Sequence, residues 1–400
     1  MDNTVDLAEA SSAIRVDIGA IFVSMELSRS TWLLTSLSPG GGEKMSRHSL
    51  RAGDLHGLFE RLGELRRKAV ERMGRSYPIV VIQEAGLDGF WIHRALEREG
   101  MESHVCRAAH VVDAASIAVP RKKRRAKTDK IDGQALLRVL MAYKRGEPRV
   151  CAMAAPPSPQ EEDRRRIGRE RDTLIKERTE HVNRIKGLLF TQGVLDYEPA
   201  GRDRRARLET LRTGLGDPLA PHLKTQIGRE LDRLELLMKQ IAQVERERAE
   251  LLDPERSPET AKTAKLIEFN GIGPEFATKL YLEGFYRSFR NRRQVGAYSG
   301  LVGSPWSSGQ IDHEQGVSKA GNPRLRSTLI ELAWLWTRHQ PDSALTKWFL
   351  GRLKGAGGRH KKRLIVALAR KLLVALWKYL ETGEPIEGAV MKTKTAKSAA

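Results

Sequence analysis

The feature that most limits the fold is a short apolar run in the first third of the chain. Residues 79–82 read IVVI without a polar break, and they lie between Pro78 and the pair Gln83-Glu84. Strands that are covered on both faces have this composition, and such strands occur in parallel or mixed sheets. The run therefore predicts a sheet with helices packed against both of its faces.

The neighbouring segments alternate between strand-like and helical patterns. β-Branched and large apolar residues dominate the strand-like segments, whereas leucines recur at helical spacing in the others. The strand-like segments are 21–26, 31–36, 79–82 and 102–106, and the helical ones are 54–73 and 88–98. This alternation predicts an α/β domain over residues 15–150.

The remainder of the chain is expected to be mainly helical. Residues 155–160, APPSPQ, have the composition of a linker, and a charged stretch with heptad spacing of apolar residues follows at 160–255. That spacing predicts a long coiled-coil-like arm. A hairpin within one chain and a coiled coil between protomers explain it equally well. Residues 262–382 are expected to form a C-terminal domain, and residues 383–400 a basic disordered tail.

Composition narrows the classes of function. The chain has 70 Lys and Arg against 50 Asp and Glu, and its net charge of +20 favours a polyanionic partner, above all nucleic acid. An aromatic content of 6% argues against a protein that binds single strands mainly by base stacking. The two cysteines lack metal-ligand spacing, and neither a signal peptide nor a membrane span is predicted. We expect a reducing, cytoplasmic compartment and no membrane partner.

The stretch 121–132, RKKRRAKTDKID, combines cations with two aspartates. Thr128 suits a helix N-cap, and Asp129 and Asp132 then stand three residues apart on one helix face. Two carboxylates there repel each other unless a cation lies between them, and Mg²⁺ is a suitable hard ion. An exposed, charged helix start explains the same residues without a metal. The preceding cations are expected to contact nucleic-acid phosphates: Arg121, Lys122, Lys123, Arg124, Arg125 and Lys127.

Two further acids are candidates for the same site. Glu84 ends the buried strand, and with Asp129 and Asp132 it would form an oxygen-only site of the kind that Mg²⁺ prefers. A fourth carboxylate is expected from the first strand, where Glu26 and Asp17 are the candidates. Each of these two residues is equally explained as a solvated acid at a strand edge.

The C-terminal third contains two segments with nucleic-acid-binding character. Gly271 and Gly273 bracket an apolar residue between two helical segments, as in a helix-hairpin-helix motif whose backbone N–H groups face a phosphate. A packing elbow between two helices explains the same glycines. A polar segment farther on precedes an apolar helix, and four of its residues are expected to contact nucleic acid: Lys319, Asn322, Arg324 and Arg326.

Five motifs together carry a family resemblance. They are VIQEAG at 81–86, KTDKID at 127–132, NGIGP at 270–274, YSGLVGSPWSSG at 298–309 and SKAGNPRLR at 318–326. In these motifs the chain resembles the DEDD-type insertion-sequence transposases, over about residues 21–380. The resemblance implies an RNase H-like (RuvC-like) N-terminal catalytic domain and a C-terminal transposase domain that contains a serine.

The resemblance assigns roles to individual residues. Glu84, Asp129 and Asp132 match three of the family's four acids, which implies an Mg²⁺ site for cutting DNA strands. The first acid departs from the family's GxDxxK pattern, because the matching segment reads SMELSR and places Glu26 where an Asp is usual. Glu26 is favoured over Asp17 on register. The family's serine nucleophile matches Ser308, with Ser304 and Ser307 as nearby competitors, and implies a covalent phosphoserine intermediate.

The resemblance also implies partners. Donor and target DNA, a structured guide RNA and a homo-oligomer, either a dimer or a tetramer, are expected, with the protein associated with a bacterial nucleoid. The function predicted is therefore a transposase that cuts and rejoins DNA. One alternative is a metal-dependent junction nuclease that uses water. Another is a non-catalytic nucleic-acid-binding relative, which the Glu26 departure favours.

Overall fold

The computed structural model describes residues 18–42, 44–86, 89–107, 129–147, 150–151, 153–251, 261–308, 311–353 and 358–392. The chain divides into two compact units, and the boundary between them lies at Pro156 and Pro157. The first unit is mixed α/β, as predicted. The second is mostly helical, and in it the predicted arm and the predicted C-terminal domain belong to one compact unit.

A six-stranded mixed sheet forms the centre of the first unit. Its strands are β1 (Ile21–Leu27), β2 (Thr31–Leu37), β3 (Ser46–Arg51), β4 (Ile79–Ala85), β5 (Glu102–Arg107) and β6 (Met153–Ala154). The order is β3-β2-β1-β4-β5-β6, with β4 parallel to both β1 and β5 and the other pairs antiparallel. The apolar run 79–82 thus lies in an interior strand with parallel neighbours on both sides, as its composition predicted.

Helices cover both faces of this sheet. Two of them, α1 (Leu55–Met73) and α2 (Trp91–Arg98), pack with the odd-numbered residues of β1 and β4 in one core. The third, α3 (Asp129–Lys144), packs with the even-numbered residues Phe22, Val80 and Ile82 in a second core. Because side chains alternate along a strand, each strand contributes to both cores.

The structure adds two strands that sequence patterns did not predict. β3 reads SRHSLR, and the side chains at its two ends are exposed because it forms one edge of the sheet. β6 has two residues and pairs with the end of β5. Neither strand contains an apolar run, so neither gave a signal.

The predicted arm is a hairpin within one chain. Helix α4 (Pro159–Phe190) begins with a capping box between Ser158 and Glu161, and it packs against α6 (Pro221–Leu251). The short helix α5 (Arg204–Thr210) lies near the turn of the hairpin. Leu174 near the base contacts the end of α6, and Ile185 near the tip contacts its beginning, so the two helices are antiparallel.

Helices around one large core make up the rest of the second unit. They are α7 (Ala261–Ile267), α8 (Pro274–Leu280), a π-helical turn (Tyr281–Phe285), α9 (Arg292–Ser299), α10 (Pro323–His339), α11 (Ala344–Leu353) and α12 (Gly358–Thr382). A β-hairpin interrupts them, with strands β7 (Gly303–Ser308) and β8 (Ile311–Val317). Across the described residues, none of the helices combines the length and apolar character needed to cross a bilayer.

The predicted disordered tail starts at residue 383, which is too early in the chain. Residues 383–392 are ordered, because Gln340 donates from Nε2 to the Val390 carbonyl and accepts from the Val390 amide, at 2.8 and 2.7 Å. Lys392 extends the attachment by donating from Nζ to two carbonyls near α7, of Ile267 and Ile272, each at 2.8 Å. Residues 393–400 lie outside the described residues.

The junction between α9 and α10 gives a test of this packing. A Cβ at Gly321 would lie 2.3 Å from the Gly300 nitrogen and 2.6 Å from the Tyr298 oxygen, both backbone atoms that cannot move aside independently. We expect Gly321→Ala to lower the free energy of unfolding by about 2–4 kcal/mol, measured by urea denaturation. Gly351→Ala is the control, because no atom lies within 4 Å of its added Cβ in α11. An equal effect of the two substitutions would contradict this account.

Candidate functional site

Two predicted acids lie side by side on the face of the sheet that α3 covers. Met25 of β1 pairs with Gln83 of β4, so Glu26 and Glu84 follow one residue later in neighbouring parallel strands. Phe22 and Ile82, an even number of residues before them, face α3, and Glu26 and Glu84 therefore face it too. Neighbouring strands are about 5 Å apart. Both side chains are half-buried at the carboxyl ends of their strands.

The start of α3 is fixed directly against these strands. Ser24 donates its hydroxyl to the Gly133 carbonyl at 2.7 Å, a buried contact between residues far apart in sequence. A Cβ at Gly133 would lie 2.7 Å from the Thr35 Oγ1 and 3.6 Å from the Glu26 Cγ. Only a glycine leaves room for this approach. Asp132, half-buried and adjacent to Gly133, is thus brought near Glu26.

The first turn of α3 contains both aspartates of the DxxD pattern. The helix begins at Asp129, where the sequence predicted its start, although the side chain of Asp129 and all of residue Thr128 lie outside the described part of the chain. Helical geometry places residues three apart on one face. Asp129 and Asp132 therefore belong to the same face of a helix whose start approaches Glu26.

A divalent ion is chemically compatible with this set of residues. Glu26, Glu84 and Asp132 supply carboxylate oxygens, which are the ligands that Mg²⁺ prefers. Among the side chains that the structure describes, however, no three His, Cys, Asp or Glu residues are grouped closely enough to hold a metal ion. The described carboxylates fit the ion by their chemistry.

The cysteine beside this site is chemically inert. Cys106 pairs with Glu84 across β4 and β5, and burial together with the neighbouring Glu84 raises the pKa of its thiol to about 12. Cys151 is also a free thiol, and burial raises its pKa. Cys106 is likewise a free thiol.

Several predicted residues cannot be placed. Asp17 and the cation run of Arg121, Lys122, Lys123, Arg124, Arg125 and Lys127 lie outside the described residues. Their roles remain predictions.

The segment that contains the candidate serines forms strand β7 of the β-hairpin. Ser308 is the last residue of β7, and its backbone is paired with Ile311 of β8. Ser307 pairs with Asp312 one step farther from the turn. Ser308 therefore lies at the end of β7 in the second unit, whereas the carboxylates lie in the first.

Residues of the SKAGNPRLR segment mostly serve structural roles. Asn322 accepts hydrogen bonds from the Arg324 and Leu325 amides as the N-cap of α10, and its Nδ2 donates to Glu283. Arg326 donates to the Ser299 and Lys319 carbonyls, at 3.2 and 3.0 Å. Of the four residues expected to contact nucleic acid, Lys319 is exposed, and Arg324 is exposed but paired with Asp172 at 3.0 Å.

The turn between α7 and α8 is held by neighbouring parts of the chain. Gly271 has a φ of +85°, and a Cβ there would lie 2.7 Å from the Cβ of His339 at the end of α10. Gly273 is the N-cap of α8. The two glycines thus suit a tight packing elbow, and their predicted contact with nucleic acid stays a prediction.

Sequence reasoning missed Glu283, which joins the arm to the C-terminal core. It is 6% exposed in the π-helical turn, where its carboxylate accepts from the guanidinium of Arg169 and from Asn322, at 3.1 and 2.8 Å. A glutamate inside the apolar run YLEGF was a signal of a buried, paired acid. A second cluster of ion pairs nearby links α4, α6 and α8 through Arg171, Arg248 and Glu275.

Comparison with known proteins decides the family. The chain is 64% identical over 393 residues to the protein named "Putative transposase y4rJ" of Sinorhizobium fredii, a match that covers 96% of this chain and 98% of that one. A model of the "Transposase IS116/IS110/IS902 family" matches residues 263–348. The chain belongs to this transposase family.

Two insertion-sequence transposases of lower identity match about half of the chain. The transposase for insertion sequence element IS1328 of Yersinia enterocolitica is 29% identical over 240 residues, covering 57% of this chain and 68% of its own length. The transposase for IS1111A of Coxiella burnetii is 32% identical over 219 residues, covering 54% and 57%. The protein is thus a transposase of the insertion-sequence type, as the resemblance implied. The matched region 263–348 contains the serine hairpin and the SKAGNPRLR segment.

The close approach at Gly133 gives a direct test of how the acids are positioned. Gly133→Ala places a methyl group against the Thr35 hydroxyl, and we expect it to lower the free energy of unfolding by about 1–3 kcal/mol. Thr35→Ala removes the obstacle. The double variant should therefore be more stable than the sum of the two single effects predicts, as measured by urea denaturation. Strict additivity would mean that α3 does not approach β1 and β2 in this way.

Proposed function

We propose that this transposase cuts and rejoins DNA strands through Ser308, assisted by Mg²⁺ that Glu26, Glu84, Asp129 and Asp132 hold. The observation that carries the proposal is the placement of Glu26 and Glu84 on one sheet face beside the start of α3. When bound, Mg²⁺ would stabilise negative charge on the reacting phosphate and help to activate the hydroxyl.

The chain's own residues account for the rest of the chemistry. The Ser308 Oγ attacks the phosphorus of the DNA strand as its hydroxyl proton leaves, and an Oγ–P bond forms. The P–O bond to the deoxyribose breaks, and that oxygen takes up a proton. Rejoining reverses these events with a hydroxyl of another strand. The phosphoserine link conserves the energy of the phosphodiester bond, so no nucleotide cofactor is required.

The location of Ser308 supports its assignment over that of other serines. It is the last paired residue of β7, at the end of the strand, and the ends of strands and the segments that connect them commonly carry functional groups. Ser307 lies inside the paired strand and Ser304 near the strand's beginning. A serine hydroxyl is a weak nucleophile on its own and needs activation by a base or a metal ion.

We further propose that a structured RNA selects the DNA sites and that the active form is a dimer or a tetramer. Both proposals rest on the resemblance. The net charge of +20 is compatible with holding two kinds of nucleic acid at once. An exchange of two strands needs more than one serine, which supports an oligomer.

A non-catalytic role is the second candidate function. Two observations favour it: Glu26 stands where the family usually has Asp, and the described acids are not grouped as a preformed metal site. Glutamate keeps the carboxylate of aspartate but carries it on a longer side chain. The recombinase and the non-catalytic protein differ in whether any DNA strand is cut.

Substitution of the serine separates the mechanisms. Full-length protein is incubated with donor DNA, target DNA, Mg²⁺ and RNA transcribed from the element's flanks, and covalent protein–DNA adduct is measured on a denaturing gel. We expect Ser308→Ala to abolish adduct and recombinant product, and the neighbouring Ser307→Ala to retain both. Asp132→Asn should reduce both by about a hundredfold or more.

Each other outcome points to a different function. DNA cutting that survives in Ser308→Ala, without adduct, would indicate a nuclease that uses water. A chain that binds DNA but forms no product in any variant would support the non-catalytic role. Omission of the RNA tests the guide separately, because product formed equally well without it would contradict that part of the proposal.

A further inference from the structure

The last long helix carries positive charge without negative charge. α12 has no Asp or Glu before Glu381, in a helix that begins at Gly358. Helix surfaces that only face water usually carry both acidic and basic residues, as α1 and α4 do in this chain. We define the α12 basic face by its five exposed cations: Lys361, Lys362, Arg363, Arg370 and Lys371.

The five cations form two exposed groups, residues 361–363 near the start of the helix and residues 370–371 two turns later. Residues beside them belong to the core of the second unit, among them Leu364, Leu368 and Leu372. At about 3.6 residues per turn, Arg363 and Arg370 share the side of the helix opposite Leu368 and Leu372. The distance along the axis from Lys361 to Lys371 is about 15 Å, at a rise of about 1.5 Å per residue.

These cations lack acidic partners within the described structure. No carboxylate of the described residues forms an ion pair with any of the five, although Lys378 farther along pairs with Glu384. Cations elsewhere in the chain behave differently. Arg67 and Lys68 of α1, for example, are equally exposed, yet they pair with Glu71 and Glu64. Unpaired charge of one sign on a rigid helix suits a polyanion.

Two tryptophans hold lysines of this face without neutralising them. Lys361 Nζ lies 5.3 Å from the ring centroid of Trp334 in α10, and Lys371 Nζ lies 4.7 Å from that of Trp348 in α11. A cation–π contact restricts the flexible side chain and leaves its full charge available. Restricting the side chains beforehand reduces the entropy lost when they bind phosphate.

We propose that the α12 basic face binds the sugar–phosphate backbone of duplex DNA without reading its sequence. The proposal rests on the proposed function only in taking DNA as the substrate. A duplex presents one negative charge per about 1.7 Å of its axis, so two groups of cations spread over about 15 Å of the helix can meet several phosphates. The face contains no Asn or Gln to read base edges. It lies outside residues 263–348, the region that the family model matches.

The experiment compares two adjacent Arg-Lys pairs of the same chain. Binding of a fluorescein-labelled duplex of arbitrary sequence is measured by anisotropy over a series of salt concentrations. Arg370→Gln/Lys371→Gln is compared with Arg67→Gln/Lys68→Gln. The second variant removes the same charge from the exposed side of α1. We expect the α12 variant to bind about tenfold more weakly and to lower the slope of log K against log salt by about 1 to 2.

The control variant should bind within about twofold of the unsubstituted protein, with its slope unchanged. Equal losses in the two variants would mean that net charge alone matters, and would overturn the proposal. An unchanged slope in the α12 variant would also overturn it, as would a loss confined to an RNA duplex of the same length.

A second substitution keeps the test independent of folding and of catalysis. Lys361→Gln/Lys362→Gln alters only exposed side chains at the other end of the face, and we expect the same fall in affinity and slope. Circular dichroism checks that each variant is folded. Because only binding is measured, the result does not depend on Ser308. A failure of the serine mechanism would leave this measurement intact.

Discussion

The hydrogen bond from Ser24 to the Gly133 carbonyl is the contact on which the proposed active site depends. It joins the first strand to a helix that follows 109 residues later, and it fixes which turn of α3 meets the sheet. The glycine permits the approach, since any Cβ there would meet Thr35. The acids at 26, 84 and 132 belong to separate elements, and this packing brings those elements together.

Side chains of β1 and β4 point alternately to the two faces of the sheet, and the two faces have different roles. In β1 and β4 one set of side chains builds the core under α1 and α2, and the other set turns toward α3. Apart from Ser24 and Gln83, apolar residues occupy both sets until the strands end, where Glu26 and Glu84 follow. The core thus holds the strands rigidly while their carboxyl ends carry the charge, which is where parallel strands commonly place functional groups.

Charge is organised differently in the second unit. Where α4 and α6 meet each other and the core, cations are matched by carboxylates such as Glu230, Glu275 and Glu283, which the helix pairing partly buries. Burial of an unpaired charge is costly, so these pairs accompany the packing. On α12 the cations face outward and remain unmatched within the described residues. Arginines and lysines therefore stabilise the packing of the arm, whereas on α12 they leave a charged surface that a polyanion can contact.

Much of the first unit could be predicted because its signals are local. The run 79–82 and the start of α3 at Asp129 depend on short-range patterns, and the structure agrees with both. Tertiary contacts determined what was missed. The edge strand β3 has no apolar run, Glu283 depends on residues 39 and 114 positions away, and residues 383–392 are ordered by Gln340. The hydrogen bonds of Asn322 to the start of α10 and to Glu283 were not predicted either, and its expected contact with nucleic acid stays a prediction.

The direct test of the central claim is the anomalous scattering of Mn²⁺, a Mg²⁺ substitute, in crystals of the full chain. The account predicts an anomalous peak in coordination contact with carboxylates of Glu26, Glu84 and the DxxD turn of α3. It also predicts that the peak disappears in Asp132→Asn crystals that keep the same fold. A well-ordered α3 with no peak at these acids, at Mn²⁺ concentrations that support DNA cutting, would contradict the account.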